Sequence, residues 1–380
     1  MKIKSKQPTL GVTIFATMTR LANEQNAINL SQGFPDFSCH PELIKLVDQH
    51  MKAGHNQYAM MQGIMPLREK LAEKIKTVYG AVYNPDTEIT VTAGATEALF
   101  AAITAVVHPG DEVIVFEPWY DSYVPVIEYN QGNPIYIKMN QPDYHIDWVE
   151  VENAITPKTR LMIFNSPHNP SGSILSKADI DHLIRIVKNT DIILINDEVY
   201  EHIIFDGEHH HSFSKYPELY ERTMVISSFG KTYHTTGWKV GYCTAPKELS
   251  VEFQKVHQFL TYAVNTPIQM AYADFLDRKD LYLELSDFYQ KKRDLFSRLI
   301  KESRFKLLPC HGTYFQLADY SAISDESDFD FVQRMTREVK VAAIPTSVFY
   351  HEKDDHKIIR FCFAKQDETL QKAAERLCRI

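Results

Sequence analysis

The sequence predicts an α/β protein, a mainly parallel seven-stranded sheet with helices on both faces, joined to a smaller α+β domain. Three observations carry that expectation. Six short runs rich in apolar and β-branched residues, at 89–92, 112–116, 135–138, 161–165, 192–196 and 223–228, alternate with helical or loop segments long enough to cross over a sheet. Strands joined in this way run parallel and are covered on both faces. A seventh run, 238–244, follows after only the loop 230–237, too short for a crossover, so it reads as antiparallel. Beyond it the pattern changes: long helical spacings at 247–277 and 281–303 precede short strands near 306–308, 313–318 and 358–364, with a helix near 328–338.

The elements ahead of the sheet follow local rules. The chain starts irregularly, and 41–53 and 66–79 then show helical spacing. Pro41 and Pro66 suit a first turn, and Gly54 and Gly80 supply the stops. The expected division is an N-terminal segment, 1–40, packing with the small domain; a large domain, 41–280; and a small C-terminal α+β domain, 281–380. No repeat or low-complexity linker separates them, so the domains should pack closely.

With 380 residues, 44% of them hydrophobic, the chain can bury a large core. Its 41 basic and 49 acidic residues give a net charge of -8 with no basic block to track a phosphate backbone, which argues against a nucleic-acid partner. Cys39, Cys243, Cys310, Cys362 and Cys378 are odd in number, scattered and without CxxC pairing, so they read as reduced thiols, not as a disulfide framework or zinc site. The first twenty residues lack a signal-peptide pattern, and no stretch approaches the roughly 20 apolar residues of a membrane helix. A soluble cytoplasmic protein is expected.

In open α/β sheets ligands sit beyond the carboxyl ends of the strands, and four polar segments fall there: 93–96, 165–172, 197–200 and 227–232. The last holds Ser227-Ser228-Phe229-Gly230-Lys231-Thr232, soon followed by Gly237-Trp238-Lys239. Gly-Lys-Thr is not a nucleotide-binding P-loop, because Val225 stands where that motif needs its first glycine. A lysine amine in a partly desolvated pocket can instead form a Schiff base with an aldehyde cofactor. Asp197, ending an apolar strand, would put a carboxylate where it keeps a pyridine nitrogen protonated. Tyr200 and Asn169 suit the ring oxygen, and Tyr120 offers a face for stacking. Gly94, Ala95 and Thr96 supply backbone donors for a phosphate at a helix start, with Ser228 and Lys239 to complete it. Singly, Asp197 would more often be a helix cap and Asn169 a turn residue, and Gly94 would as readily be a plain strand-to-helix turn as a phosphate site. His209-His210-His211, without spaced carboxylate or cysteine ligands, reads as an exposed loop and not a metal site.

Together these motifs resemble the class I, fold-type I, pyridoxal-phosphate-dependent aminotransferases, and within them the methionine aminotransferase and kynurenine aminotransferase I groups. The likeness runs from Asn29-Leu30-Ser31-Gln32-Gly33-Phe34-Pro35-Asp36-Phe37 to Ile359-Arg360-Phe361-Cys362-Phe363-Ala364-Lys365. The resemblance implies a ping-pong transamination between an amino acid and a 2-oxo acid on pyridoxal 5′-phosphate. Lys231 would anchor the cofactor and move the Cα proton, Asp197 would pair with its ring nitrogen, and Asn169 and Tyr200 would contact its hydroxyl. Tyr120 would stack, and Ala95, Thr96, Ser228 and Lys239 would hold the phosphate. Tyr58 would reach the cofactor of a neighbouring subunit, making a homodimer with shared sites. Arg360, helped by the Gly33 backbone, would clamp the substrate carboxylate, with Phe15 and Tyr262 lining the side-chain pocket. Phenylalanine at 15, where the kynurenine enzymes carry tryptophan, favours methionine and related large uncharged amino acids. A carbon–sulfur β-lyase could use the same residues, and a cofactor-sensing regulator is a third reading. The regulator lacks room for a DNA-binding domain before residue 31.

Overall fold

Short β-branched runs become strands because their side chains pack from both sides. The computed structural model describes residues 3–8 and 10–380. Its first strand is β1 (Ile28–Asn29), followed by β2 (Ile89–Thr92), β3 (Glu112–Glu117), β4 (Asn133–Lys138), β5 (Thr159–Asn165), β6 (Ile193–Asp197), β7 (Thr223–Ser228) and β8 (Gly241–Thr244). Strands β2 to β8 form one sheet in the order β2-β8-β7-β6-β5-β3-β4. Pairs among β3 to β7 are parallel, whereas β8 is antiparallel to both β7 and β2. Along β3 the side chains alternate: Val113 and Val115 join the core under the helix Ala95–Val106, while Ile114 and Phe116 join the opposite core, with Ile180 and Leu183 of the helix Lys177–Val187. This two-sided cover matches the parallel α/β architecture that the strand spacing predicts.

The remaining strands are β9 (Lys306–Leu307), β10 (Phe315–Asp319), β11 (Val341–Ala342), β12 (Ile344–Pro345) and β13 (Ile358–Cys362). Four of them form an antiparallel sheet ordered β12-β13-β10-β9. The fifth, β11, pairs in parallel with β1, Ile28 facing Val341. A single core joins Met18, Leu21 and Leu30 to Phe296, Phe331, Phe361 and Leu370, so these three side chains are buried against the C-terminal body.

Several sequence expectations give way to local chemistry. The start is irregular only as far as Thr13; a helix, Ile14–Glu24, follows, in which the Thr13 hydroxyl accepts from the Ala16 N–H and Met18, Leu21 and Ala22 are buried. The single helix expected at 247–277 is two, Lys247–Leu260 and Thr266–Phe275. Tyr262 takes a left-handed φ of 67°, and Asn265 with Pro267 starts the chain again as a capped helix. The stretch 281–303 likewise divides into Asp280–Leu283 and Leu285–Leu299. Strand β8 begins at Gly241, not at 238, because Thr236–Trp238 forms a 3-10 turn and Lys239 follows at φ 55°. Among the described residues no helix is long and apolar enough to cross a membrane.

Candidate active site

The carboxyl ends of β2, β5, β6 and β7 open on one cavity of about 250 Å³. Its lining includes Gly94, Ala95 and Thr96 after β2, Asn165 and Asn169 after β5, Asp197 and Tyr200 at β6, and Ser228 and Lys231 at β7. Tyr120 and Lys239 complete the sheet side. Phe15, Gly33, Phe315 and Arg360 close it from the N-terminal helix and the small body. Tyr58 and Tyr262 are not brought to this cavity. They are 85% and 50% exposed and pack edge-to-face on each other, ring centroids 5.6 Å apart.

Gly94 sits at φ 81°, ψ 169°, a backbone region that only glycine occupies freely, and turns the chain from strand into the helix Ala95–Val106. The first-turn N–H groups of that helix have no acceptor within it. Lys239, on its left-handed backbone, brings Nζ to 3.3 Å from where a Cβ on Gly94 would stand. Gly241 is equally constrained, since a Cβ there would meet the Ser227 carbonyl oxygen at 2.7 Å and the Ala95 nitrogen at 2.9 Å. Free amides, an ammonium and the Ser228 hydroxyl therefore converge on one end of the cavity, a donor set suited to a phosphate.

Lys231 lies half-buried on the short turn Phe229–Thr232, its Nζ donating to the Gly33 carbonyl at 3.2 Å and lying 5.6 Å from the ring centres of Tyr200 and Tyr314. Burial pushes its pKa down to about 8, with Arg360 and Lys239 adding to the fall and Asp197 opposing it. Asp197 is 4% exposed, and burial pushes it up to about 6 against the hydrogen bonds from Tyr123 and the Val199 amide. The Tyr123 hydroxyl donates to Asp197 Oδ2 at 2.7 Å. Sequence reasoning passed over this contact, since a tyrosine in an apolar stretch gives no sign of which polar group it meets.

Arg360, on β13, is 1% exposed. Its Nη1 donates to Asn169 Oδ1 at 2.7 Å and its Nη2 to the Ser31 carbonyl at 3.2 Å, while Nε has no acceptor among the described residues. The guanidinium carbon lies 3.9 Å from the centre of the Phe315 ring and 5.4 Å from that of Phe15. Asn165, also unforeseen as a site residue, ties this side to the sheet: its Oδ1 accepts from the Asn169 N–H at 2.7 Å and its Nδ2 donates to the Asp197 carbonyl at 2.8 Å. His210 and His211 are not the exposed loop expected of the histidine run. His210 pairs with buried Glu198 at 2.7 Å and His211 with the Tyr216 hydroxyl at 2.6 Å.

A partly deprotonated amine, a buried carboxylate, an aromatic face and a phosphate cradle form one donor set, and it fits a phosphorylated pyridine aldehyde. The comparisons with known proteins agree. The model of aminotransferase class I and II matches residues 25–377. The chain belongs to this family. It is therefore an aminotransferase, and the family's cofactor is pyridoxal 5′-phosphate. Among its relatives, a methionine aminotransferase of Escherichia coli is 51% identical over 98% of this chain and 97% of that protein. A kynurenine–oxoglutarate transaminase of Dictyostelium discoideum is 35% identical over 99% of this chain and 96% of its own length. The solved structure of Escherichia coli YbdL, identified with a methionine aminotransferase function, superposes at TM-score 0.98 with 50% identity and full coverage of both chains. N-succinyldiaminopimelate aminotransferase of Mycobacterium tuberculosis superposes at 0.95 with 35% identity, also over both full chains.

Proposed function

We propose that this aminotransferase takes methionine and other large uncharged or aromatic amino acids as donors, passing the amino group to a 2-oxo acid in a ping-pong cycle. One observation carries the substrate reading: Arg360 is the only arginine among the described residues lining the cavity, and its guanidinium lies against the rings of Phe315 and Phe15. A single guanidinium serves the α-carboxylate that every substrate shares, and aromatic walls favour an apolar side chain over a second carboxylate. The 51% identity to a methionine aminotransferase supports the same choice.

Within this reading the residues divide the work. Gly94, Ala95, Thr96, Ser228 and Lys239 would hold the cofactor phosphate, Tyr120 would offer its face to the ring, Asn169 and Tyr200 would take its hydroxyl and Asp197 its nitrogen. When bound, the cofactor supplies an aldehyde for the amino group and a ring that draws electrons from Cα. Arg360 and the Gly33 backbone fix the substrate carboxylate, so that the Cα–H bond faces Lys231. The Lys231 amine, its pKa lowered to about 8 by burial, would take that proton and return it to the former aldehyde carbon across the nitrogen. Buried Asp197, raised to about 6, is still mostly ionised at neutral pH and would keep the ring nitrogen cationic.

The protein is further proposed to be a cytoplasmic homodimer, with residues 1–40 and 281–380 forming one body and 41–280 the other. Exposed Tyr58, Met60, Phe259 and Tyr262 support the dimer, since large apolar side chains grouped at a surface mark an interface; Tyr58 and Tyr262 would then reach the neighbouring subunit's cavity. Nothing observed favours carbon–sulfur lyase or regulator readings over this one. The test is a half-reaction screen of the cofactor-loaded protein against the common amino acids, read by loss of the bound cofactor's absorbance. Methionine should react at least about tenfold faster, per unit concentration, than aspartate; a preference for aspartate or glutamate overturns the substrate reading.

A further inference from the structure

We infer that Tyr123 is a positioning residue of this enzyme: its hydroxyl holds the Asp197 carboxylate in the charged form and in the orientation that meets the cofactor's ring nitrogen. The inference rests on the role proposed above for Asp197 and adds the group through which that role is set.

Asp197 ends β6 in a nearly water-free place, where burial alone opposes its charge. The titratable groups facing it are Tyr120 and Tyr123 from the segment after β3, Lys231 from the turn after β7, and Glu198 and Tyr200 from its own loop. Glu198 is committed elsewhere, accepting from Asn196 Nδ2 and the Phe213 N–H and pairing with His210. Two donors reach the Asp197 carboxylate: the Tyr123 hydroxyl on Oδ2 at 2.7 Å and the Val199 N–H on Oδ1 at 3.3 Å. Among the described residues Tyr123 is thus the single side-chain donor, and it makes the shorter bond.

The tyrosine is built for that task. It is 3% exposed, and burial together with the neighbouring carboxylate drives its own ionisation well above the ordinary range, so it remains a donor wherever the enzyme works. Its backbone N–H donates to the Tyr120 carbonyl at 3.1 Å, and the two rings meet edge-to-face with centroids 5.6 Å apart. One turn therefore presents both the ring that faces the cavity and the hydroxyl that grips Asp197. Donation to an ionised carboxylate favours its charged form, so removing the hydroxyl leaves burial less opposed.

The experiment compares Tyr123→Phe, Asp197→Asn and the double variant with the parent, first without cofactor. A folded-state pKa of about 6 lies above the ordinary carboxylate value of about 3.9. The folded protein therefore binds the extra proton between those values. Stability is highest at the acidic end and declines as pH rises through the window. Tyr123→Phe should move the upper end of that decline up by about one to two pH units. Asp197→Asn should abolish the decline, and adding Tyr123→Phe to it should change the profile no further. With cofactor, Tyr123→Phe should weaken its binding about tenfold or more and shift the pH dependence of its absorbance, with the KM for methionine unchanged. Replacing Tyr123 with 3-fluorotyrosine, a stronger donor of the same shape, should move the stability profile the opposite way. Should Tyr123→Phe or the fluorinated residue leave profile and spectrum superimposed on the parent while Asp197→Asn alters both, the inference about Tyr123 falls alone. An Asp197→Asn variant indistinguishable from the parent overturns the reading of Asp197 itself.

Discussion

The sheet-side wall of the cavity and the wall facing it are made differently. Gly94, Asn169, Asp197 and Lys231 each leave the carboxyl end of a strand in one hydrogen-bonded sheet, so their backbones are fixed by ladders that run through the core. Phe15, Gly33, Phe315 and Arg360 come from a helix near the start of the chain, a loop and two strands of another sheet. Their positions depend on how that body packs. The Arg360–Asn169 and Asn169–Asn165 hydrogen bonds join the two walls. Under the proposed function the contrast is a division of labour: the sheet-borne residues would hold the cofactor, while the packed side chains opposite would shape the choice of substrate.

That division breaks if changes to the two walls have the same effect. The largest change is expected from Lys231→Ala, which should eliminate the covalent, borohydride-reducible attachment of the cofactor and lower transamination by about 10²–10⁴-fold or more while the fold survives. A reducible adduct on another lysine contradicts it. In the parent chain, cofactor uptake should quicken as pH climbs through about 8, because only the unprotonated amine attacks an aldehyde. Across the cavity, Arg360→Lys keeps the charge but loses the planar fork and the bond to Asn169 Oδ1. Its kcat/KM should fall about 10²-fold for all amino acids alike, with cofactor binding intact; loss of cofactor would blur the two walls. Phe15→Ala should be mildest, raising the KM for methionine and phenylalanine about tenfold and leaving alanine nearly unaffected. A uniform loss of kcat instead would move Phe15 to the sheet side.

How far each wall could be read from the residues follows from the same contrast. Strand ends at 92, 165, 197 and 228 are marked locally by apolar runs that stop at glycine, asparagine, aspartate or serine, so the sheet and its four loops were legible. The helix Ile14–Glu24 was not. Its apolar stripe of Met18, Leu21 and Ala22 is short, and the partners that justify it lie near the other end of the chain. Two-residue strands such as β1 and β11 carry no periodicity at all. The break after Leu260 did have a local sign, the capping pair Asn265 and Pro267, which the apolar spacing on either side outweighed. Tyr123 was hidden for another reason: its hydrogen bond joins residues 74 positions apart, and no spacing rule reports on such a contact.

The pairing of β1 with β11 bears on how the molecule comes into being. Lys340 donates to Gln25 across 315 positions of chain, and Leu30 is sealed among residues of the last third. A ribosome therefore releases the opening helix long before anything exists to cover it. The large sheet, whose strands follow one another in sequence, can close while this piece still drifts in solvent. The helix that carries Phe15 into the cavity can be covered only once the residues near 296–377 that pack against it have been made.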